Sequence, residues 1–166
     1  MAVLALAVVV AGGTGVAAAH TLGAHAVGAT PRCLFRNLRL PPPQSSGAAG
    51  TIRVRYVFWN VGPATCSFFG YPGMALVNKY GQPMQTLVIH GRATPYTVLV
   101  PRSGRASFYA KYSDVPRGGE TCPPARSALV WPPNDYQPMT AKFPSPARAC
   151  GGRITVLPVV GGVQPL

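Results

Sequence analysis

Few residues of this sequence could carry out chemistry, and they do not form a catalytic pattern. Of three histidines, His90 alone lies in the part that we predict to fold, and the three acids are Asp114, Glu120 and Asp135. A serine hydrolase needs a histidine base and an orienting carboxylate beside its nucleophile, and the Gly-x-Ser-x-Gly turn of many hydrolases does not occur. We therefore expect no catalytic residues, with a small hydrolase site near His90 and Asp114 as the alternative.

Metal and cofactor sites are equally short of ligands. One folded histidine and three acids cannot easily fill a metal coordination shell. The pairs Gly118-Gly119 and Gly151-Gly152 are not followed by the Lys-Ser/Thr of a phosphate-binding loop. The sequence therefore predicts no metal and no cofactor.

The four cysteines are better placed for disulfides than for zinc. They are Cys33, Cys66, Cys122 and Cys150, and neighbouring cysteines are separated by about 30 residues or more, with no Cys-x-x-Cys pair. An exported chain meets an oxidising compartment, where disulfides form and persist. We expect two disulfides, and free buried thiols are the alternative.

Charge points to an anionic partner. Fifteen Lys and Arg residues oppose three acids, which gives a net charge of +12. Scattered charge of this kind is usually an ordinary solvated surface, but two segments interleave cations with aromatic rings, a combination that grips anionic or ring-bearing ligands. The candidate ligand-binding residues are Arg53, Arg55, Trp59, Arg105, Tyr109 and Lys111.

The elements that must position these residues are β-strands. In residues 51–60 and 105–112, apolar and polar side chains alternate with period two. Ile52, Val54 and Phe108 then face a core, and the cations face outward. If the two strands share a sheet, Arg53, Arg55, Arg105 and Lys111 should lie within a Debye length of about 8 to 10 Å. An ordinary solvated face, or one covered by a neighbouring loop, is the alternative.

Weaker strand signals and frequent turns fill the rest of the chain. The sequence holds 19 glycines and 19 prolines, too many for long helices. We predict an all-β, immunoglobulin-like antiparallel sandwich of about seven to nine short strands. The weaker strand candidates are 33–40, 74–78, 84–90, 96–100, 127–131, 139–143 and 153–160.

Strand order selects one of the three cysteine pairings. If sequential strands pair as antiparallel hairpins, the end of 51–60 lies beside the start of 33–40, which brings Cys66 to Cys33. The turn at 132–135 folds 127–131 onto 139–143, which brings Cys150 towards Cys122. Each bond closes a loop of about 30 residues and contributes roughly 3.5 to 4 kcal/mol in the chain-entropy model.

The N-terminus resembles a signal peptide that lacks a basic start. Residues 2–19 are apolar or small and end in Ala17-Ala18-Ala19, and a second cleavage site follows Ala26. A retained membrane anchor is the alternative, but glycines shorten the apolar run below the roughly 20 residues of a spanning helix. We expect a signal peptide over 1–19 (or 1–26), a flexible tail over 20–30, a domain over 31–160 and a C-terminal tail over 161–166.

The segment Asn60 to Gly73, with a Thr-Cys pair and then Gly70-Tyr71-Pro72-Gly73, resembles the actinobacterial exported domain of unknown function numbered 4232. The four-cysteine framework and the turn Val130-Trp131-Pro132-Pro133 also fit, over about 31–160. The resemblance implies export, an immunoglobulin-like sandwich and no established activity. Many relatives look like lipoproteins, whereas this chain has no cysteine near the cleavage region.

Together these observations favour an exported, non-enzymatic binding module in the cell envelope or outside the cell. Its expected partner is an anionic envelope polymer or lipid surface, or another envelope protein, bound without a stable transmembrane anchor. We expect no physiological nucleic-acid partner, because the compartment disfavours one, although the charge would cause salt-sensitive binding in vitro. A purely structural envelope protein is a further alternative.

Overall fold

The computed structural model describes residues 29–166. The predicted signal peptide, over 1–19 or 1–26, lies outside the described residues, as does most of the predicted tail over 20–30. Within 29–166, no helix is long and apolar enough to cross a membrane.

The described chain is nearly all β-structure, with a short 3-10 turn at Phe35–Asn37 and another at Cys150–Gly152. The strands are β1 Leu38–Arg39, β2 Gln44–Ala48, β3 Thr51–Asn60, β4 Cys66–Phe68, β5 Gly73–Val77, β6 Leu87–His90, β7 Val98–Val100, β8 Arg105–Ser113, β9 Ala125–Trp131, β10 Met139–Ala147, β11 Arg153–Val156 and β12 Val160–Gly161.

The large sheet is built around the two longest predicted strands. Its order is β1-β3-β8-β11-β6, with β2 also on β3 and β12 also on β8. β3 and β8 pair antiparallel from Thr51 opposite Ser113 to Trp59 opposite Arg105. One pairing departs from the expected antiparallel architecture, since β11 runs parallel to the edge strand β6. A parallel pair needs a long crossover, and here β7 to β10 lie between its two strands in the sequence.

The second layer is a three-stranded sheet, β10-β9-β5, and β4 and β7 form a small third sheet. The inward residues of β3 and β8 meet these sheets in a closed core. Stacked rings occupy its centre, with Tyr56 and Phe58 packed on Phe108, at 4.9 and 5.4 Å between ring centroids, and Phe58 packed also on Phe68. The all-β sandwich predicted from the alternation is confirmed.

Strand bounds were less predictable at the two ends of the domain. The expected strand 33–40 is mostly the 3-10 turn and β1. β2 extends to Ala48, so that only Ala49 and Gly50, with φ of 49° and 73°, reverse the chain before β3. The expected strand 153–160 divides into β11 and β12, since the N–H of Val159 donates to Gly70, outside the large sheet.

Both disulfides join the cysteines that strand order predicts, Cys33 to Cys66 and Cys122 to Cys150, and no described cysteine is free. Cys33 and Cys66 are buried in the core. Two such bonds indicate an oxidising, extracytoplasmic environment.

Candidate functional site

The six candidate ligand-binding residues lie on the outward face of the large sheet. Alternation along β3 and β8 points Arg53, Arg55 and Trp59 away from the core, and the antiparallel register places Lys111, Tyr109 and Arg105 directly opposite them, in that order. Their neighbours in each strand, such as Val54 and Phe108, are buried. We call this set the basic aromatic face, defined by Arg53, Arg55, Trp59, Arg105, Tyr109 and Lys111.

Two cation–π pairs mark the ends of the basic aromatic face. The Arg53 guanidinium lies 5.1 Å from the centroid of the Tyr109 ring, and that of Arg105 lies 5.6 Å from the centroid of the Trp59 ring. Arg53 and Trp59 are six residues apart on one strand, about 20 Å at about 3.3 Å per residue. The expectation that all four cations share one Debye length is therefore wrong. Arg53, Arg55 and Lys111 cluster at one end, and Arg105 stands at the other.

Carboxylates do not neutralise the basic aromatic face. Every Lys, Arg, Asp and Glu lies within residues 29–166, and the single ion pair there is Arg153 with Glu120, at 4.0 Å. Arg53 and Lys111 stand directly across β3 and β8, and like charges in that position destabilise a sheet. An anion bound between them would relieve this repulsion.

The last residues of the sequence cross the basic aromatic face. β12 pairs with Ser107 and Ala106 at the side of β8 away from β3, and Gly162, with a φ of 73°, then turns the chain over the sheet. We call residues 162–166 the strap. The predicted tail over 161–166 thus begins in a strand and lies on the candidate site.

Three side chains of the sheet hold the backbone of the strap. The N–H of Gln164 donates to the Ser107 hydroxyl at 3.1 Å, Arg55 donates to the Gln164 carbonyl, and the Tyr109 hydroxyl donates to the Pro165 carbonyl. Ser107 is fully buried although alternation places it outward, because the strap covers it. Val57 lies opposite Ser107, so two short side chains form the floor of the groove.

The strap separates two clefts on this face. One has a volume of about 300 Å³ and the other of about 450 Å³. The first is lined by Arg55, Trp59, Arg105 and Val163, together with Pro41, Pro42, Gln44 and Val57. The second is lined by Arg53, Tyr109, Gln164 and Pro165, together with Ala93, Tyr96, Leu157, Pro158 and Val160. Each cleft thus contains one of the two cation–π pairs.

Arg55 stands between the strap and the edge strand β2. It donates to the Gln44 side chain as well as to Gln164, while its Nε is buried without a hydrogen-bond partner. Arg55 thus joins the strap to β2 through its two terminal nitrogens.

Residues 33–160 match the model of a protein family described as a domain of unknown function (DUF4232). The chain belongs to the DUF4232 family. No curated protein and no solved structure gives a significant match. The strap begins just beyond the matched residues, so the family pattern does not include it.

In this DUF4232 domain the segment that resembles the family is held by a buried amide. Asn60 is fully buried, and its Nδ2 donates to the carbonyls of Ala64, Val100 and Pro101 at 2.9, 2.9 and 3.1 Å. Its Oδ1 accepts the N–H of Gly62 at 2.9 Å. One side chain thus joins the turn after β3 to the end of β7.

The Gly-Tyr-Pro-Gly part of the segment also has a structural role. The Tyr71 hydroxyl donates to the Gly91 carbonyl at 2.9 Å, and its ring stacks on His90 at 4.2 Å between centroids. Gly73 lies against Trp131, whose Cβ would stand 3.3 Å from an added Cβ. The motif therefore packs β5 and its preceding loop against neighbouring strands.

His90 does not meet an acid in this DUF4232 domain. It is level with Ala110 through the register of β6, β11 and β8. Asp114 follows the end of β8, four residues beyond Ala110, so it lies about 13 Å further along the strand direction at about 3.3 Å per residue, with β11 between β6 and β8. The other acids are also engaged elsewhere, since Glu120 pairs with Arg153 and Asp135 accepts the N–H of Phe35 at 2.6 Å. Among residues 29–166, no three His, Cys, Asp or Glu residues cluster as a metal site would need.

Asp114 instead lines a third cleft, of about 290 Å³, which lies on the core-facing side of β3 and β8, the opposite face of the sheet from the strap. Tyr112 shares this cleft with Phe143 and Arg148. Burial raises the pKa of Tyr112, and the charge of Asp114 raises it further. Tyr112 is therefore a neutral hydroxyl at physiological pH.

Sequence patterns identified the cations and rings of the basic aromatic face but not the groove between them. Ser107 and the strap residues Gln164 and Pro165 went unrecognised. The sequence does contain a sign of the groove. Val57 and Ser107 are short outward residues, and they lie between larger ones on β3 and β8. A gap of this kind leaves room for a crossing chain.

Proposed function

We propose that this DUF4232 domain is an exported, non-enzymatic binding module that holds an anionic envelope polymer on its basic aromatic face. The observation that carries the proposal is the register of β3 and β8, which brings six cationic and aromatic residues from two distant segments onto one surface. Cations that have no carboxylate partner remain available to an anionic ligand.

The layout of the face supports a polymer over a single small anion. The rings of its two cation–π pairs, Tyr109 and Trp59, stand about 13 Å apart along the strands at about 3.3 Å per residue, and each pair belongs to a separate cleft. One phosphate-sized anion could occupy only one of them. A chain of acidic, ring-bearing units could place a charge and a ring at both ends.

The same layout supports a polymer over a flat lipid surface. The strap crosses the face between the two clefts, so the face does not offer a flat surface to a headgroup layer. The clefts are recessed between loops that carry Pro41, Pro42, Tyr96 and Pro158. Such recesses suit single chains that enter lengthwise.

Export is part of the proposal and is supported by the two disulfides and by the apolar N-terminus. The absence of a catalytic role is also proposed. It is supported by the separation of His90 from Asp114 and by the stacking of His90 on Tyr71.

The test compares two double variants with equal loss of charge. Arg53→Gln with Arg105→Gln removes one cation from each end of the face, and Arg126→Gln with Lys142→Gln removes two exposed cations from β9 and β10 of the other sheet. Binding to polygalacturonate, an acidic polysaccharide, is measured by titration calorimetry over a range of salt concentrations, with neutral dextran as the blank.

The face variant should bind about five- to thirtyfold more weakly than the parent, at roughly 0.5–1 kcal/mol for each cation. The control variant should lose less, and all affinities should fall as salt is raised. Equal losses from both variants would show that net charge alone governs binding. Binding to vesicles of phosphatidylglycerol and phosphatidylcholine, but not to the polysaccharide, would replace the polymer by a lipid surface.

A further inference from the structure

The strap occupies the part of the basic aromatic face that a ligand spanning both clefts would have to cross. It lies between the cleft of Trp59 and Arg105 and the cleft of Arg53 and Tyr109, and its residues line both. Val163 borders the first cleft, whereas Gln164 and Pro165 border the second. A polymer that contacts both cation–π pairs cannot pass while the strap is in place.

The strap also uses the donors that an anionic ligand would need. Arg55 and Tyr109 belong to the basic aromatic face, and both donate to strap carbonyls. A carboxylate accepts stronger hydrogen bonds from such donors than a neutral carbonyl does. Exchange of the strap for an acidic polymer would therefore keep these bonds and strengthen them.

Few contacts hold the strap on the sheet, so a ligand could displace it. The contacts described for 162–166 are the three bonds to Ser107, Arg55 and Tyr109, one from Gln164 to Gly161, and one from the N–H of Gly162 to Arg105. Val163 and Leu166 remain exposed by 43% and 41%. Segments with few buried apolar contacts open at low free-energy cost.

We propose that the strap is a built-in competitor that regulates the proposed binding face. This role rests on the function proposed above, since the strap can compete with a ligand only if the face binds one. When the strap is closed, the two clefts are separate and Arg55 is engaged. When it lifts at Gly162, the clefts join into one groove of about 20 Å at about 3.3 Å per residue of β3, with both cation–π pairs and Arg55 open to a single chain.

The strap can be removed without changing the charged side chains of the face. Residues 162–166 are Gly-Val-Gln-Pro-Leu, so a chain that ends at Gly161 loses no charged side chain, and its terminal carboxylate then lies at Gly161. β12 and its pairing with β8 remain. Affinity for a site that is open only part of the time is reduced by the open fraction, and the truncated chain should therefore bind polygalacturonate about three- to tenfold more tightly than the full chain.

A second variant tests the strap without truncation. Ser107→Ala removes the acceptor of the Gln164 N–H but leaves every cation and ring of the face in place. In the full chain it should raise the affinity for polygalacturonate. In the truncated chain it should change nothing, because its only proposed partner has gone.

Arg55→Gln completes the design. It should weaken binding more in the truncated chain than in the full chain, where Arg55 is already engaged by the strap. Circular dichroism and the urea unfolding midpoint check that each variant folds.

The outcomes separate the two proposals. If the full and truncated chains bind polygalacturonate with one affinity, the strap is not a competitor, while the proposed function stands. If Ser107→Ala acts equally in both chains, its effect is not exerted through the strap and the inference is wrong. If neither chain binds at low salt, the proposed function fails, and the inference fails with it.

Discussion

The sharpest test of how this domain is held together is the replacement Asn60→Asp. It keeps the size of the side chain but exchanges the Nδ2 donor for an oxygen. That oxygen would face the carbonyls of Ala64, Val100 and Pro101, which lie 2.9 to 3.1 Å from Nδ2. The two N–H groups that the three carbonyls share are lost, and the carbonyls then face an oxygen in a fully buried place.

The size of the effect follows from those contacts. Each bond contributes about 1 kcal/mol net, and a buried carbonyl left without a donor costs about 1–3 kcal/mol. Asn60→Ala should therefore lower the free energy of unfolding by roughly 3–5 kcal/mol. Asn60→Asp should cost more at neutral pH, because a buried carboxylate is either charged against three carbonyls or must hold its proton.

The pH dependence gives the signature of the donor. Burial beside carbonyls should raise the pKa of the new carboxyl in the folded protein, whereas the unfolded chain releases its proton near its ordinary value of about 3.9. The folded state of the variant then binds the extra proton. Its stability should be greatest below about pH 4 and fall by about 1.4 kcal/mol per pH unit above it.

Urea unfolding of the parent and the variant across this range measures the effect. Asn134→Asp is the matched control, since it makes the same chemical change at an exposed amide, whose Nδ2 donates one solvent-exposed hydrogen bond to the Phe69 carbonyl at 3.3 Å. That control should stay within about 0.5 kcal/mol of the parent. An Asn60→Asp protein as stable as the control at neutral pH, or one that gains stability as pH rises, would refute the donor role of Asn60.

Three other predictions concern the covalent bonds, the buried tyrosine and the histidine. Peptide mapping without reduction should recover Cys33–Cys66 and Cys122–Cys150, and a peptide that joins Cys33 to Cys122 would contradict the strand pairing. Replacing Cys33 and Cys66 by alanine should lower the free energy of unfolding by about 4 kcal/mol, because these cysteines are 33 residues apart. Burial raises the pKa of Tyr56 in the folded protein well above its ordinary value of 10.0. As pH rises, this tyrosine therefore ionises in the unfolded chain before it ionises in the folded protein. The free energy of unfolding should fall by about 1.4 kcal/mol per pH unit above about pH 10. Tyr56→Phe should remove this part of the slope in urea titrations, and an unchanged slope would assign it to other groups. His90→Ala should leave polysaccharide binding unchanged and lower the free energy of unfolding by about 0.5–1.5 kcal/mol, because the stacking on Tyr71 is lost. The loss of a general base usually lowers turnover about a hundredfold, and a loss of that size in any measured turnover would establish catalysis.

Much of the fold could be predicted because its central strands are long and strongly patterned. Alternation over β3 and β8 gave the buried set of Val54, Phe58 and Phe108 and, with it, the six outward residues of the candidate site. The hairpin between β9 and β10 followed from the turn at 132–135. Both disulfide pairings depended on these features and were predicted with them.

The remaining features depend on contacts between segments distant in the sequence. The parallel pairing of β11 with β6 has no local signal, because both strands are short and the residues between them fold elsewhere. The strap lies over Ser107 through a hydrogen bond between residues 57 apart in the sequence. Its own residues carry no alternation that predicts where they pack.

The order of the disulfides has a consequence for how the domain is made. The first cysteine of the chain pairs with the second, and the third with the fourth, so neither ring encloses a cysteine of the other. A chain that emerges N-terminus first, from a ribosome or a translocation channel, exposes Cys33 and Cys66 before Cys122 exists outside it. Each bond can form when its second cysteine arrives, and oxidation in order of emergence already gives the native connectivity without a shuffling isomerase.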